Sequence, residues 1–479
     1  MTNTKVFVNN LFWKFLERSG SQGVSIIVSI LLARLIEPSA FGVMSLIYVF
    51  TSLLNVFVDS GMGVALIQKK EVDDADFSSV FYFNMCFGIM LYGIMYIVSP
   101  LISSFYNIPE LTNILRIASL ALVISGLRNV QQAFVSRKMM FKKFFYSTLC
   151  GVIASACIAL YLAYNGYGVW ALVWQSISNL AISTIVLWIV VEWRPRLLFS
   201  LQKLKCLIDY GWKLLVTGLL DILYDNARIL IIGKLYRPSD LAYYNMGAQV
   251  PYGLVNNINA SIDSVLLPAV SAEQEDRFQV KRMMRRSIVT STYIMAPVML
   301  CLAAVADNFV HIILTDKWQE CTPFLRIFCV SFMFYPINSS NLNVIKALGR
   351  SDIILKLEIV KKLLGLCAIL ITMWISPLAM ALGMLACALI NQVLNSWPNE
   401  KLLDYSYFEQ LKDILPNLLL ALFIASIVYC LHFLGLPRLL AFLIQIAAGL
   451  ILYPLLSKIF RLESYSYILD ITKMYLKKK

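Results

Sequence analysis

Apolar segments of about 20 residues recur from one end of this 479-residue chain to the other, and no other feature restricts its fold so strongly. Each is long enough to cross a hydrocarbon layer of roughly 30 Å as a helix rising 1.5 Å per residue. Hydrophobic residues make up 59% of the chain, charged residues only 14%, and the mean hydropathy is +0.73. A water-soluble globular protein does not reach that balance, which excludes a soluble enzyme carrying a single anchor. The pattern predicts an all-α polytopic membrane protein with fourteen spans: 12–35, 40–58, 79–103, 111–134, 144–164, 168–191, 209–233, 240–266, 288–312, 322–346, 354–375, 377–396, 415–434 and 438–457. The longest polar connections, 192–208, 267–287 and 397–414, have room for an interfacial helix but not for a folded catalytic domain.

The net charge of +13 points at first to nucleic acid, but the 41 Lys and Arg fall mostly on alternate loops. Arg137, Lys138, Lys142 and Lys143, then Arg277, Lys281, Arg282, Arg285 and Arg286, then Lys473 and Lys477 to Lys479, all belong to one side. Few fall on the other, among them Arg34, Lys234, Arg237, Lys317 and Arg438. The positive-inside rule places both termini in the cytoplasm, as an even number of spans requires. The basic charge is therefore topology and not a nucleic-acid patch. The charged start of the first span, Lys14, Glu17 and Arg18, argues for a retained helix and against a cleavable signal peptide. The ten cysteines form no C-x-x-C pair and read as small buried hydrophobes.

The halves of the chain repeat. Arg34-Leu35-Ile36-Glu37-Pro38-Ser39-Ala40-Phe41 aligns, at an offset of 200, with Lys234-Leu235-Tyr236-Arg237-Pro238-Ser239-Asp240-Leu241. Asp59-Ser60 matches Asp263-Ser264, and Leu115-Arg116-Ile117 matches Leu325-Arg326-Ile327. Six spans thus occur twice in the same orientation, predicting two parallel lobes, 1–200 and 201–400, with a crevice between them. Residues 401–479 add a helix pair and a basic cytoplasmic tail.

Charge in hydrocarbon costs roughly 2.5 to 3.5 kcal/mol on insertion scales, so polar residues inside spans should face protein or water. In the seventh span Asp209, Lys213, Thr217, Asp221, Tyr224 or Asp225, and Arg228 share one face, as do Asn245, Gln249, Tyr252, Asn256, Asn259 and Asp263 in the eighth. Their repeat equivalents carry Lys14, Arg18, Ser21, Ser25 and Ser29, and Tyr48, Ser52, Asn55 and Asp59. Stripes on four equivalent helices predict a central aqueous cavity, to which Arg128 with Asn129, Gln131 and Gln132, and Asn338 to Asn341 with Asn343, add polar helix ends. The competing reading is mutual pairing, for example Asp225 with Arg228 along one helix. Arg116 and Arg326, near outer helix ends, read as snorkelling anchors.

Several stretches resemble the polysaccharide flippases of the multidrug/oligosaccharidyl-lipid/polysaccharide (MOP) exporter superfamily, on the colanic-acid and lipopolysaccharide branch. They are Leu32 to Pro38 with Phe41-Gly42, Asp59 to Gln68, Gly166 to Leu172, Arg194-Pro195-Arg196, Asp225-Asn226 to Gly233, Lys317-Trp318, and Ala347 to Asp352. The chain departs from the family pattern at Thr315-Asp316, where Phe-Gly or Tyr-Gly usually precedes Lys-Trp. The resemblance implies a V-shaped pair of six-helix lobes in the bacterial inner membrane, alternately open. It further implies movement of an undecaprenyl-diphosphate-linked repeat unit, with cavity cations that Arg18, Lys213, Arg228 and Arg128 could supply here. Polysaccharide polymerase and glycosyltransferases are the implied partners, beside membrane lipids.

No cofactor is expected. Asp59, Asp221, Asp225 and Asp263 either bind coupling protons or Na⁺, or neutralise neighbouring Arg and Lys. The alternative within the superfamily is a cation-coupled multidrug exporter. An enzyme is the alternative from another class, with Asp73-Asp74-Ala75-Asp76 as its one acidic motif, but that run reads as a solvated loop with Asp76 or Ser78 capping the third span. His311 and His432 form no catalytic constellation, and no G-x-x-x-x-G-K-[ST] sequence is present.

Overall fold

A computed structural model describes residues 2–59, 61–69 and 71–477, with some side chains of the first, ninth and last helices outside the described set. Arg18 and Lys213 are among those, with Lys14 and Asp209. The described chain is all-α and divides into two compact units, Met1–Ala242 and Tyr243–Lys479. Nine of its helical segments are long and apolar enough to cross a membrane. The other expected spans are the more polar ones. The first, seventh and eighth carry polar stripes, the eleventh carries Lys356, Glu358, Lys361 and Lys362, and the tenth carries Arg326, Pro336, Asn338, Asn341 and Asn343.

The first unit contains α1 (Thr2–Leu35), α2 (Pro38–Asp59), α3 (Met62–Gln68), α4 (Asp74–Tyr106), α5 (Leu111–Ala118), α6 (Leu120–Arg137), α7 (Phe141–Tyr164), α8 (Val169–Val190) and α9 (Leu201–Leu235). The start of α10 (Pro238–Ala272) also belongs to it. α1 packs on α7, α7 on α8, α4 on α6, and α9 against α2, α3 and α4. Between α4 and α6 the approach is set by glycine. A Cβ on Gly88 would lie 2.9 Å from the Leu122 carbonyl oxygen, and one on Gly126 would lie 2.7 Å from that of Asn84. Backbones that close gain dispersion contact, which stands in for the hydrophobic drive that helices in lipid lack. α7 and α8 use the same device at Gly151, beside Ser183 and Asn179, and Ser147 Oγ donates to the Ser183 carbonyl at 2.6 Å.

The polar run before α4 is a helix cap, as expected, but Asp73 makes it. Its carboxylate accepts the Asp76 N–H at 2.9 Å, and the Asp76 carboxylate accepts the Asp73 N–H at 3.2 Å. This reciprocal box satisfies two orphan donors and is worth about 1 kcal/mol. Asp76, 2% exposed, also meets Lys69 Nζ at 2.7 Å, while Asp74 meets Arg196 at 3.0 Å. Arg137 closes the end of α3 by donating to the carbonyls of Leu66, Ile67 and Lys69 at 2.8, 3.0 and 2.6 Å.

The second unit continues α10 and adds α11 (Arg277–Ala304), α12 (Ala306–Phe309), α13 (Thr322–Met333), α14 (Tyr335–Ala347), α15 (Ser351–Thr372), α16 (Pro377–Leu403), α17 (Tyr407–Cys430), α18 (Arg438–Ile459) and α19 (Glu463–Lys477). α11 is central, packed on α13, α14 and α17. A seam of buried amides links α14, α16 and α17. Asn395 Nδ2 donates to Asn338 Oδ1 at 3.1 Å, Asn399 Nδ2 to Asn341 Oδ1 at 2.8 Å, and Asn341 Nδ2 to Gln410 Oε1 at 3.0 Å. At one end of this unit Arg285 bonds Asp413 at 3.0 Å and grips both Glu463 carboxylate oxygens at 3.1 and 2.9 Å, tying α19 to α11 and α17.

Two expectations need amendment. The loops given room for interfacial helices are largely taken up by extension of the spans, since α10 runs to Ala272 and α16 to Leu403. The cysteines are not uniformly buried: Cys86, Cys150, Cys157, Cys367 and Cys430 are exposed, on helices whose outward faces are apolar. A thiol is a weak enough donor to sit on such a face.

Candidate functional site

The first pair of matched stretches has equivalent helix boundaries. α1 ends at Leu35 and α2 begins at Pro38, while α9 ends at Leu235 and α10 begins at Pro238, an offset of 200 in both cases. Proline at the first helical position has a fixed φ suited to the helix and lacks only an N–H that would be orphaned there. The matched arginines also act alike. Arg116 Nε donates to the Tyr96 carbonyl at 3.3 Å, its guanidinium 4.1 Å from the Tyr96 ring, and Arg326 Nε donates to the Ala303 carbonyl at 3.3 Å while also pairing with Asp307. Each joins its own helix to the span before it.

Of the twelve residues expected to line a cavity, Arg18 and Lys213 lie outside the described side chains. On α2, Asn55 is half-buried, and Asp59 at the helix end is exposed, its carboxylate 3.2 Å from where a Cβ on Gly63 would stand. On α9, Asp221 and Asp225 are exposed, and both are engaged in further interactions. Arg228 is 9% exposed, and its guanidinium makes no hydrogen bond or ion pair with another described residue. The i,i+3 pair with Asp225 that the spacing allowed is not formed, so Arg228 is a buried cation without a counter-charge among the described residues.

Arg128 on α6 has a different setting. With the Gln132 amide turned so that its oxygen faces the guanidinium, Nε and Nη2 of Arg128 bond it at 3.1 and 3.2 Å. The Glu17 carboxylate on α1 lies within electrostatic reach of Arg128 and accepts from Thr148 Oγ1 on α7 at 3.3 Å. Glu17 was absent from the sequence-derived set. Its signal was available, since Glu17 stands three residues after Lys14 and four before Ser21 on the striped face of the first span. Gln131, expected beside Arg128, turns away and donates to the Trp193 carbonyl at 3.0 Å.

The α10 stripe is divided by burial. Gln249, Tyr252 and Asn256 are exposed and Asn245 half-buried. Asn259 is 7% exposed, and Asp263 is half-buried and turned to α14, where Asn343 Nδ2 donates to Oδ1 at 2.6 Å and Ser339 Oγ donates to the same oxygen. Among the described residues no group of three or more His, Cys, Asp or Glu is placed to hold a metal ion.

The described cations and acids thus stand on polar helix faces within apolar bundles. Comparison with known proteins agrees. Over 402 residues the chain is 24% identical to the lipopolysaccharide biosynthesis protein WzxC of Escherichia coli (strain K12), covering 82% of this chain and 79% of that one. Over 355 residues it is 23% identical to the succinoglycan biosynthesis transport protein ExoT of Rhizobium meliloti (strain 1021), covering 74% and 71%. In fold it is similar to the lipid II flippase MurJ, with a TM-score of 0.73 at 16% identity over 93% of this chain and 98% of that one. It is also similar to an inward-facing multidrug resistance MATE transporter of the MOP superfamily, with a TM-score of 0.60 at 13% identity over 80% and 95%. The model of the polysaccharide biosynthesis protein family matches residues 31–323, more than half of the chain. The chain belongs to that polysaccharide biosynthesis family, and is a multi-pass membrane transporter of the MOP superfamily rather than an enzyme.

Proposed function

We propose that this protein is a flippase that carries a polyprenyl-diphosphate-linked oligosaccharide across the bacterial cytoplasmic membrane by alternating access, with both termini in the cytoplasm. The cargo is a repeat unit of lipopolysaccharide, O-antigen, capsule or exopolysaccharide. The internal repeat supports two parallel six-helix lobes, 1–200 and 201–400, followed by the helix pair of 401–479 and completing fourteen spans. The observation that carries the reading is Arg228. A guanidinium that is 9% exposed and has no counter-charge among the described residues costs several kcal/mol to bury, a cost that an anionic cargo would offset. Guanidinium matches phosphate oxygens with paired, charge-assisted hydrogen bonds, and the exposed amides Gln249 and Asn256 suit sugar hydroxyls. An inside-negative potential would assist outward transfer of the diphosphate by about 2.3 kcal/mol per charge per 100 mV.

Cells that depend on this protein for export provide the test. Arg228→Ala and Arg18→Ala, inserted at normal levels, should each abolish surface polysaccharide and cause the lipid-linked intermediate to accumulate in the cytoplasmic leaflet, with Arg228→Lys recovering part of the flux. Undiminished export by both alanine variants would sink the diphosphate reading. Resistance to cationic dyes on overexpression, without any effect on lipid-linked saccharide, would favour the drug exporter.

A further inference from the structure

At one end of the second unit the basic residues outnumber the acids that could match them. Arg285 takes Asp413 and both carboxylate oxygens of Glu463. Arg282 and Arg286 on α11, Lys458 at the end of α18 and Arg461 in the turn before α19 are all exposed, and none has an ion-pair partner among the described residues. Glu463, an acid within electrostatic reach of Arg286, is already gripped by Arg285. The fold gathers these cations. The Leu462 N–H donates to the Ser457 carbonyl at 3.1 Å and closes the turn, Arg461 taking φ 52°, and the Arg286 guanidinium lies 5.1 Å from the Tyr467 ring of α19. Four positive charges thus collect where α11, α18 and α19 meet.

Along the same helices, between α10, α11 and α18, runs an apolar cavity of about 750 Å³. Arg282 and Arg286 share a face of α11 with Tyr293 and Pro297, which line it, and Lys458 stands one turn beyond Pro454 of its α18 wall. Arg286 and Lys458 are therefore about 10 and 6 Å along their helix axes from the nearest of these wall residues. The Tyr293 and Tyr453 rings, 4.9 Å apart, form the end of the cavity that faces the cations. There the Tyr453 hydroxyl is buried with no hydrogen-bond partner, on a side chain 6% exposed. The one amide among the lining residues, Gln445, is already used: its Oε1 accepts from Asn308 and its Nε2 donates to the Val428 carbonyl, both at 2.9 Å.

We propose that this end of the second unit binds an anionic phospholipid, with its phosphate held by Arg282, Arg286, Lys458 and Arg461 and one acyl chain laid in the cavity. The Tyr453 hydroxyl donates to the ester carbonyl that lies between phosphate and chain. Basic clusters at the ends of spans attract anionic headgroups, and an apolar cavity without a free amide accepts a hydrocarbon chain and little else. The same features disfavour the saccharide cargo, whose hydroxyls need the exposed amides of the α10 stripe and find none on this wall. The lipid is a fixed component of the unit and is not transported.

The inference takes from the flippase reading only that the chain spans a membrane, and its test uses no saccharide, so the two can fail separately. The full-length protein in nanodiscs of phosphatidylcholine with increasing phosphatidylglycerol is unfolded by heat. Lipid retained after transfer to detergent is identified by native mass spectrometry. A ligand that binds the folded state raises the melting temperature in a saturable manner. Wild type should show that rise with phosphatidylglycerol and retain one molecule of it. Arg286→Gln combined with Lys458→Gln should raise the half-saturating fraction of phosphatidylglycerol by about tenfold. Val298→Trp, which fills the cavity from α11, should remove the retained lipid with every charge in place. Lys138→Gln, at an exposed basic position of the first unit, should respond as wild type. Equal melting in the two lipids, or a phosphatidylglycerol effect that both site variants leave unchanged, would overturn the proposal. A loss as large in Lys138→Gln would do the same, by reducing the effect to general surface charge. Retention of a polyprenyl lipid in preference to phosphatidylglycerol would assign the cavity to the cargo and also overturn it. Should Val298→Trp fail to fold, the exposed charge variant and the lipid retained by wild type still decide.

Discussion

Gly42 gives the sharpest stability test that this structure offers. It lies in the first turns of α2, and a Cβ built there would stand 1.8 Å from the Pro238 carbonyl oxygen, 2.5 Å from its carbon and 3.0 Å from its Cα. Those are backbone atoms at the first residue of α10, fixed by the proline ring and by the helix that follows, so no side-chain rotation relieves the contact. Reaching an ordinary separation of about 3.4 Å requires one helix start to move by about 1.6 Å, far more than a close-packed interior concedes. Overpacking of this kind costs about 1 to 3 kcal/mol, and the backbone-to-backbone contact places Gly42→Ala at the upper end. Gly93 in α4 is the matched control, because a Cβ there meets nothing within 4 Å. Gly93→Ala should stabilise the helix by about 0.5 to 1 kcal/mol through propensity alone. Thermal unfolding of the three purified proteins in the same detergent should therefore rank Gly93→Ala at or above wild type and Gly42→Ala clearly below. If the two substitutions move the melting temperature alike, the close approach of α2 to Pro238 is wrong.

Two further outcomes follow from local features. Thr315 holds φ 89° and ψ 169°, a region that essentially only glycine occupies without strain, and its hydroxyl is buried without a partner. Thr315→Gly should raise stability by about 1 to 3 kcal/mol, read as a higher melting temperature, and unchanged or lower stability would deny the strain. Arg285 holds the Glu463 carboxyl below its usual range, chiefly through their direct hydrogen bonds. A depressed carboxylate contributes stability above its unfolded value, about 4.5, and loses it as pH falls through the folded value. Protection of the α19 amides, referred to the intrinsic exchange rate at each pH, should thus fall at acid pH, modestly because the pair is largely exposed, and Arg285→Gln should flatten that dependence.

Much of the frame could be read from the sequence because hydropathy and the repeat are properties of the chain itself. Leu35 to Pro38 and Leu235 to Pro238 bound their helices because proline permits a helix start and forbids a helix interior. The site was less legible. Periodicity puts Asn256, Asn259 and Asp263 on one face but does not say what opposes that face, and in the fold Asn256 is exposed while Asp263 is bonded to α14. Glu17 escaped for the converse reason, since its relation to Arg128 and Thr148 depends on the packing of α1 with α6 and α7. The missing partner of Arg228 could not be foreseen either, because Asp225 stands at a spacing that permits a pair without compelling one.

The two copies of the repeat diverge at one residue, and the divergence changes what their matched acids can do. Asp59 is followed two positions on by Gly61, which takes φ 66° in the left-handed region, ends α2 and starts the short α3. Asp263 is followed at the same place by Val265, for which that conformation costs roughly 1 to 2 kcal/mol, so α10 continues to Ala272. Asp59 is left at the end of its helix. Asp263 lies within a continuing helix, where Ser339 and Asn343 of α14 meet it and water reaches it only in part. A glycine in one stretch and a valine in the other thus leave the two matched acids in different settings, one at the end of its helix and one held by hydroxyl and amide donors of α14.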